Sequence, residues 1–231
     1  MSAKAGPWFR LLAITPPAGA VDVRVVQAWA AARELGLAVL LREPGTTATA
    51  MLGDGHRLAG LRRACAEAGV ACLLSVDVGE LEGLPPGLAG LGLAGVQLRG
   101  DPGRSQVELA RRRLGPGRVL GRSCHGQPPV MGDDVDYSVF APVFAPRTAS
   151  PLPGPGKTAV GLPPLRAFAA RQPHVFALGG VTAANAAACI RAGAYGLAAI
   201  RTFFGPVDEV ADNVGVLVTL LTKPADHASP P

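Results

Sequence analysis

Short apolar runs alternate along the chain with longer amphipathic stretches. The first pair sets the pattern, because LLAIT at 11–15 predicts a buried strand and apolar side chains recur at helical spacing over 21–36. Asp22 can cap this helix, and Gly36 can end it. The same reasoning predicts seven further strands, at 37–43, 71–77, 93–101, 118–126, 136–144, 174–180 and 195–201.

Strands interleaved with helices in this way predict a parallel sheet that is buried on both faces. Eight such units are the number that closes a TIM barrel, so we expect a single α/β domain, a (β/α)8 barrel, over residues 1–222. A doubly wound open sheet is the alternative, but the first strand lacks the G-x-G-x-x-G turn of a dinucleotide-binding fold. The end of the chain, 223–231, is expected to be a disordered tail.

Composition narrows the class of ligand. The chain has 231 residues, of which 48% are hydrophobic and 17% charged, which is enough apolar material for one large core. The formal charge of +5 comes from 22 Lys and Arg against 17 Asp and Glu, mostly scattered and without interleaved aromatic residues. This distribution argues against a nucleic-acid partner and favours a small anionic ligand.

Compartment and metal content are inferred from what the sequence lacks. It has no run of about 18 apolar residues and no N-terminal signal-peptide pattern. Its four cysteines form no Cys-x-x-Cys pair, so neither a structural zinc site nor a disulfide framework is indicated. We therefore expect a cytoplasmic protein with no membrane partner. The sequence leaves open whether it forms a homo-oligomer.

Glycines near the ends of the last two strands predict a phosphate site. In β/α barrels the loops after strands seven and eight commonly hold a phosphate at a helix N-terminus. ALGGVTAAN places Gly179 and Gly180 where the backbone turns sharply, and Thr182 can cap the helix behind them. We expect the backbone N–H groups near Gly179, Gly180, Ile200 and Arg201 to hold the phosphate, the alternative being an ordinary glycine turn.

The fifth strand, VLGRSCHG, ends in residues that can carry chemistry. Because side chains alternate along a strand, Ser123 and His125 share one face while Arg122 and Cys124 share the other. A Cys124–His125 nucleophile and base is therefore disfavoured. His125 stands at the carboxyl end of a barrel strand, where catalytic residues collect, and the alternative is a loop histidine bonded to backbone.

Polar residues also end the second, third and fourth strands. Arg42 is a candidate to bind a substrate carboxylate or phosphate, the alternatives being an ion pair with Glu43 or a solvated strand end. Gln97 can form a hydrogen bond with a substrate. Asp77 and Asp101 could together hold Mg²⁺, but aspartates in loops are more often turn formers, so we expect no metal.

In their order and spacing, several of these segments resemble the thiamine phosphate synthase and TenI superfamily. The resemblance covers most of the chain and is carried by LLAIT, LLRE, GVQL, GRSCH, DYSVFAPVF, ALGGVTAAN and AGAYGLAAI.

The synthase branch of this superfamily has a ligand pattern that this chain keeps only in part. A synthase typically carries Gln-x-Arg-x-Lys on strand two, Asn-Asp after strand three, a further Asp after strand four for Mg²⁺, and Thr-x-Thr-Lys after strand six. Here Arg42 is kept, Leu40 and Pro44 take the flanking positions, strand three reads LLSVD, and APRTAS follows strand six. Mg²⁺ and a pyrophosphate would lack most of these ligands.

The TenI branch matches better, since its members have a histidine after Gly-Arg-Ser-x, as in GRSCH. The resemblance implies a thiazole tautomerase, an isomerase of thiamine biosynthesis that aromatises a thiazole phosphate carboxylate by proton transfer at His125, without a metal. It also implies that Arg42 neutralises the carboxylate and that Ser123 positions the ring or His125. The alternatives are a Mg²⁺-dependent thiamine phosphate synthase and a non-catalytic binder of a phosphate ligand.

Overall fold

The chain folds into a closed barrel of eight parallel strands in sequential order. The computed structural model describes residues 6–84, 88–126, 134–146 and 158–222. It confirms the predicted (β/α)8 barrel and all eight predicted strands. The strands are β1 Leu11–Ile14, β2 Leu37–Leu41, β3 Ala71–Val76, β4 Leu93–Leu98, β5 Val119–Cys124, β6 Tyr137–Phe140, β7 Val175–Ala177 and β8 Gly196–Ala199.

Helices surround the barrel, and several are shorter than their apolar pattern predicts. The α-helices are α1 Val25–Ala28, α2 Ala48–Met51, α3 Ala59–Ala68, α4 Arg104–Leu114, α5 Leu162–Ala169, α6 Ala186–Arg191 and α7 Val207–Thr222. The described residues also contain three 3-10 segments, at Trp29–Ala32, Val78–Gly83 and Leu88–Leu91.

The first helix shows why the predicted lengths were too long. Asp22 does not cap α1, because its carboxylate accepts the backbone N–H of Arg24 at 3.0 Å and pairs with the Arg24 guanidinium. The turn that this creates delays the helix to Val25, and after Ala28 it tightens to 3-10 geometry. Gly36 adopts a left-handed φ of +69° where the chain turns into β2.

Two apolar layers follow from the alternation of side chains along the strands. One lies between the strands and the helices, and the other fills the barrel interior. Near the amino end of the barrel, the rings of Phe9, Tyr137 and Phe176 pack at centroid distances of 5.2–5.5 Å. This packed interior leaves the opposite, carboxyl end of the barrel to form a binding site.

One charged side chain lies inside the outer layer. Arg122 of β5 is fully buried and donates hydrogen bonds to Ser138 Oγ at 3.1 Å and to Gln172 Oε1 at 3.2 Å. Cys124, on the same face of β5, is also buried there. The outward face of this strand therefore contributes to packing between the sheet and the helices.

The expected domain limit and the expected tail concern the end of the described region. The proposed limit of the domain at 222 stays a prediction, with α7 ending at Thr222. The tail 223–231 and the loop 147–157 lie outside the described residues. Of the helices that the structure describes, none combines the length and the apolar character needed to cross a membrane.

Candidate functional site

A cavity of about 720 Å³ opens at the carboxyl end of the barrel. Its walls come from the ends of strands β1, β2 and β4 to β8 and from the loops that follow them. The structure brings together there all the residues predicted as a site, although their roles stay predictions. These residues are Arg42, Gln97, Ser123, His125, Gly179, Gly180, Ile200 and Arg201.

A second cavity, of about 700 Å³, lies at the amino end of the barrel beside Trp8 and Arg118. Its Arg111 is already neutralised, because the guanidinium pairs with Asp134 and Asp136 at 3.2 and 2.8 Å. Active sites of β/α barrels lie at the carboxyl end of the strands, so we assign the candidate site to the first cavity.

Strand β5 presents Ser123 to the cavity and Cys124 to the helices, and His125, directly after the strand, also lines the cavity. Burial raises the pKa of the Cys124 thiol to about 11, which keeps the thiol protonated at neutral pH. A protonated thiol that faces away from the cavity is a poor nucleophile. The geometry therefore excludes a Cys124–His125 pair.

Asp101, in the loop after β4, is the partner of His125. Its carboxylate accepts the backbone N–H of His125, and Oδ2 lies 2.9 Å from the ring Nδ1. Asp101 holds this position with an unusual φ of +54°. The sequence pattern suggested Asp101 as a metal ligand or a turn former and missed its contact with His125, because this contact joins residues that are 24 positions apart.

A chain of hydrogen bonds runs from the barrel interior to the cavity. The Tyr137 hydroxyl donates to Gln97 Oε1 at 2.9 Å, and Gln97 Nε2 donates to Ser123 Oγ at 3.0 Å. Tyr137 and Gln97 are buried, whereas Ser123 is partly exposed. From the sequence, Gln97 was predicted to contact the substrate, and this stays a prediction. Tyr137 was missed, because the only sequence feature that could have indicated its role is a hydroxyl group at the start of a buried strand.

Two arginines mark one side of the cavity, at the ends of β2 and β4. Arg42 does not pair with Glu43, because Glu43 binds His56 and Arg57, each at 2.9 Å. Within the described part of the chain, the Arg42 guanidinium forms no hydrogen bond or ion pair. Burial, and then the charge of Arg99, lower the pKa of Arg42.

Arg99 was missed in the sequence, although it follows Gln97 by two positions and so shares its face of the strand. It lines the cavity and pairs with Glu80 at 2.8 Å. The same Glu80 carboxylate accepts the backbone N–H groups of Ala48 and Asp77, at 3.0 and 2.8 Å. Glu80 therefore joins the loops after β2, β3 and β4 and holds Arg99 at the cavity.

The loop after β7 has the predicted glycine turn but a different helix start. Gly179 and Gly180 have φ of +96° and +60°, and a Cβ on Gly180 would lie 2.6 Å from the Ala145 carbonyl oxygen. Thr182 does not cap α6, which begins at Ala186. Instead, the Asn185 side chain accepts the Thr182 N–H and donates to the Gly180 carbonyl, at 2.8 and 2.9 Å.

These bonds leave donors available at the other side of the cavity. The carbonyls of Gly179 and Gly180 accept bonds from Phe144 and Asn185, but their N–H groups donate to nothing in the described residues. Ile200 lines the same wall, and Arg201 lies exposed beside it. Adjacent free N–H groups in a glycine turn form a concave site suited to an anion.

The described donors do not fit the Mg²⁺ site that the synthase pattern implies. Asp77 caps the 3-10 segment that follows β3, accepting the Gly79 N–H at 3.1 Å, and Asp101 is bound to His125. The end of β3 offers Ser75 and Val76 where that pattern has Asn-Asp. In the described ranges, no group of three or more His, Cys, Asp or Glu side chains is placed to hold a metal ion.

Several known proteins are similar to this chain over most of its length. A thiamine-phosphate synthase from Aromatoleum aromaticum is 32% identical over 86% of this chain and 89% of its own. One from Chromobacterium violaceum is 32% identical over 87% and 91%. A thiamine phosphate pyrophosphorylase structure from Pyrococcus furiosus superposes with a TM-score of 0.63, covering 92% and 95% of the two chains at 19% identity, which shows the shared fold alone.

These relatives correct one expectation. The tautomerase assignment was wrong, because the similar proteins are named thiamine-phosphate synthases. The assignment rested on GRSCH and on the missing ligand residues, and the relatives' names do not agree with it. The model of the thiamine monophosphate synthase family matches residues 11–203. The chain belongs to that family.

Proposed function

We propose that this protein is a thiamine-phosphate synthase, which joins a pyrimidine pyrophosphate to a thiazole phosphate with loss of pyrophosphate. The relatives' names support this reaction class. The structural observation that supports the proposal is that one cavity has two walls with groups suited to anions, the arginines at β2 and β4 and the backbone donors after β7. A reaction between a pyrophosphate and a monophosphate needs two such walls.

The arginine wall suits the pyrophosphate. Arg42 has no anionic partner in the described chain, and a cation removed from water in this way gains most from binding an anion. Arg99 adds a second cation that Glu80 fixes in place. In a partly desolvated cavity, two guanidinium groups can bind the substrate pyrophosphate and offset the charge that develops as it leaves.

The backbone wall suits the monophosphate of the thiazole. The free N–H groups of Gly179 and Gly180 are neutral donors, and they are the more usual way for a β/α barrel to hold a single phosphate. Apolar side chains between the two walls, those of Ile14, Leu40 and Val139, can contact the two rings. The two reactants then meet near Ser123, on the side of the barrel where β5 ends.

No step is assigned to Mg²⁺, because the described oxygen donors do not form a Mg²⁺ site. The residues of this chain instead bind the two anions, position the rings and remove water from the reacting atoms. His125, held by Asp101, borders the same space and can form a hydrogen bond to a substrate atom.

A coupling assay tests the proposal. Purified protein is mixed with the pyrimidine pyrophosphate and the thiazole phosphate, with Mg²⁺ or with a chelator, and thiamine phosphate and released pyrophosphate are measured together. We expect both products in equal amounts. Absence of thiamine phosphate at enzyme concentrations equal to substrate would contradict the proposal, and binding of both substrates without turnover would assign the chain to non-catalytic ligand binding.

A further inference from the structure

The hydrogen-bond chain Tyr137–Gln97–Ser123 has a defined direction. A tyrosine hydroxyl has one hydrogen to donate, a glutamine amide has a donor end and an acceptor end, and a serine hydroxyl can act as either. The two distances, 2.9 Å from Tyr137 and 3.0 Å to Ser123, place both ends of the Gln97 amide in bonds. The orientation of that amide therefore decides how Ser123 can behave.

The surroundings of Tyr137 fix the orientation. Its ring is fully buried and packs against Phe9 and Phe176, and Gln97 is the described partner of its hydroxyl. If the amide were flipped, Gln97 would donate to Tyr137 and leave the tyrosine hydrogen buried without an acceptor, which is unfavourable because a buried donor loses its bond to water. The tyrosine must donate, so Gln97 Nε2 must point to Ser123.

Gly121 makes this arrangement possible. A Cβ at position 121 would lie 2.2 Å from Cζ of Tyr137 and 2.5 Å from its hydroxyl oxygen. Only a residue without a side chain lets the tyrosine ring lie beside β5 at this depth. The glycine and the serine of GRSCH are thus connected through Tyr137 and Gln97.

We propose that Tyr137 and Gln97 are positioning residues that make Ser123 a hydrogen-bond donor toward the cavity. Because Ser123 Oγ accepts from Gln97, its own hydrogen points to the ligand, and the site selects an acceptor atom there, such as an unprotonated ring nitrogen or an anionic oxygen. The role in catalysis rests on the proposed function, in which that acceptor belongs to the pyrimidine pyrophosphate.

A double-mutant cycle in the coupling assay tests the connection. Tyr137→Phe keeps the ring and removes the donor, and we expect kcat/KM to fall about three- to tenfold. Ser123→Ala should lower it by about tenfold or more. In the Ser123→Ala background, Tyr137→Phe should have no further effect, because the residue through which it acts is gone. An equal loss in both backgrounds would overturn the proposal.

Two further variants separate positioning from packing. Gln97→Glu keeps the shape, and once its carboxyl group is ionised it offers only acceptor atoms, which turns the Ser123 hydrogen away from the ligand. Burial favours the protonated carboxyl, which can still donate to Ser123, so we expect activity to fall toward that of Ser123→Ala as the pH rises and the carboxyl ionises. A pH profile of kcat/KM identical to that of wild type would contradict the proposal. Tyr195→Phe is the matched control, because Tyr195 donates to the Pro7 carbonyl at 2.8 Å on the amino side of the barrel, and its activity should not change.

A measurement without substrates distinguishes failure of this inference from failure of the proposed function. In nitrogen-15-labelled protein, the Gln97 side-chain amide should exchange slowly with solvent, and Tyr137→Phe should shift its resonances and speed that exchange. If wild-type protein makes no thiamine phosphate but this change is seen, the synthase assignment fails and the hydrogen-bond direction stands. Unchanged Gln97 resonances in Tyr137→Phe would overturn the inference itself.

Discussion

Asp101 accepts hydrogen bonds from both the backbone and the ring of His125, with the ring Nδ1 2.9 Å from Oδ2. A carboxylate can accept from Nδ1 only if that nitrogen carries a proton, so a neutral His125 ring has its lone pair on Nε2. The pair thus fixes both the position of the ring and its tautomer, in a loop that lines the cavity.

We predict that Asp101→Ala releases the His125 ring into a mixture of tautomers. The expected result is a change in the nitrogen-15 shifts of Nδ1 and Nε2 toward averaged values, measured at a pH where the ring is neutral. Asp54→Ala is the control, since the Asp54 side chain is fully exposed and its nearest cation is 3.7 Å away. Identical spectra for wild type and Asp101→Ala would argue against the pairing.

The arginine wall predicts a selective loss of affinity for pyrophosphate. Arg42→Ala and Arg99→Ala should each weaken binding of inorganic pyrophosphate about 10- to 100-fold, because each removes a charge-assisted bond. Binding of the thiazole phosphate should change far less, since the backbone wall is separate. Calorimetry with each ligand measures this split, with Arg63→Ala on the exposed side of α3 as the control. An equal loss of affinity for both ligands would contradict the interpretation that the two walls bind them separately.

The backbone wall predicts a strain effect at Gly180. Gly180→Ala places a Cβ 2.6 Å from the Ala145 carbonyl oxygen at a φ of +60°, so we expect a loss of about 1–3 kcal/mol in the free energy of unfolding. Gly215→Ala is the control, for which we expect a change in the opposite direction. It lies in α7, where an added Cβ would have no neighbour within 4 Å, and should gain about 0.5–1 kcal/mol. Urea unfolding measures both differences. A Gly180→Ala variant as stable as wild type would show that the turn relaxes to accept the new Cβ.

The alternation of short apolar runs with longer amphipathic stretches was sufficient to predict the strands and the barrel, because a parallel sheet needs buried runs such as LAVLL of β2. The local pattern, through the alternation of side chains along a strand, also predicted that Ser123 and His125 share one face. It was not sufficient for contacts between loops, such as Asp101 with His125 or Glu80 with Arg99. These depend on where backbone turns place side chains from distant parts of the sequence, and a local pattern carries no information about that.

Buried thiol and phenol groups predict that the folded state loses stability at high pH. Burial raises the pKa of Cys124 and of Cys189 to about 11, and it also raises that of Tyr137. An unfolded cysteine loses its proton near about pH 8.5. Between these values the folded chain keeps protons that the unfolded chain releases, so stability falls as the pH rises.

Chemical unfolding between pH 8 and pH 10.5 measures this loss. Each buried thiol contributes at most about 1.4 kcal/mol per pH unit. The Cys124→Ala/Cys189→Ala variant removes two of the groups, so its stability should decline less steeply over this range, whatever its stability at pH 7. Parallel declines for the two proteins would show that other groups dominate.

The burial of Arg122 bears on how motifs of this family are interpreted. In GRSCH only Ser123 and His125 face the cavity, whereas Gly121 accommodates the tyrosine ring and Arg122 and Cys124 pack toward the helices. Those three positions serve the packing of the barrel, whatever ligand the cavity binds. A match to the glycine, arginine and cysteine of this motif therefore indicates how the barrel packs, and it carries no information about the residues that face the cavity.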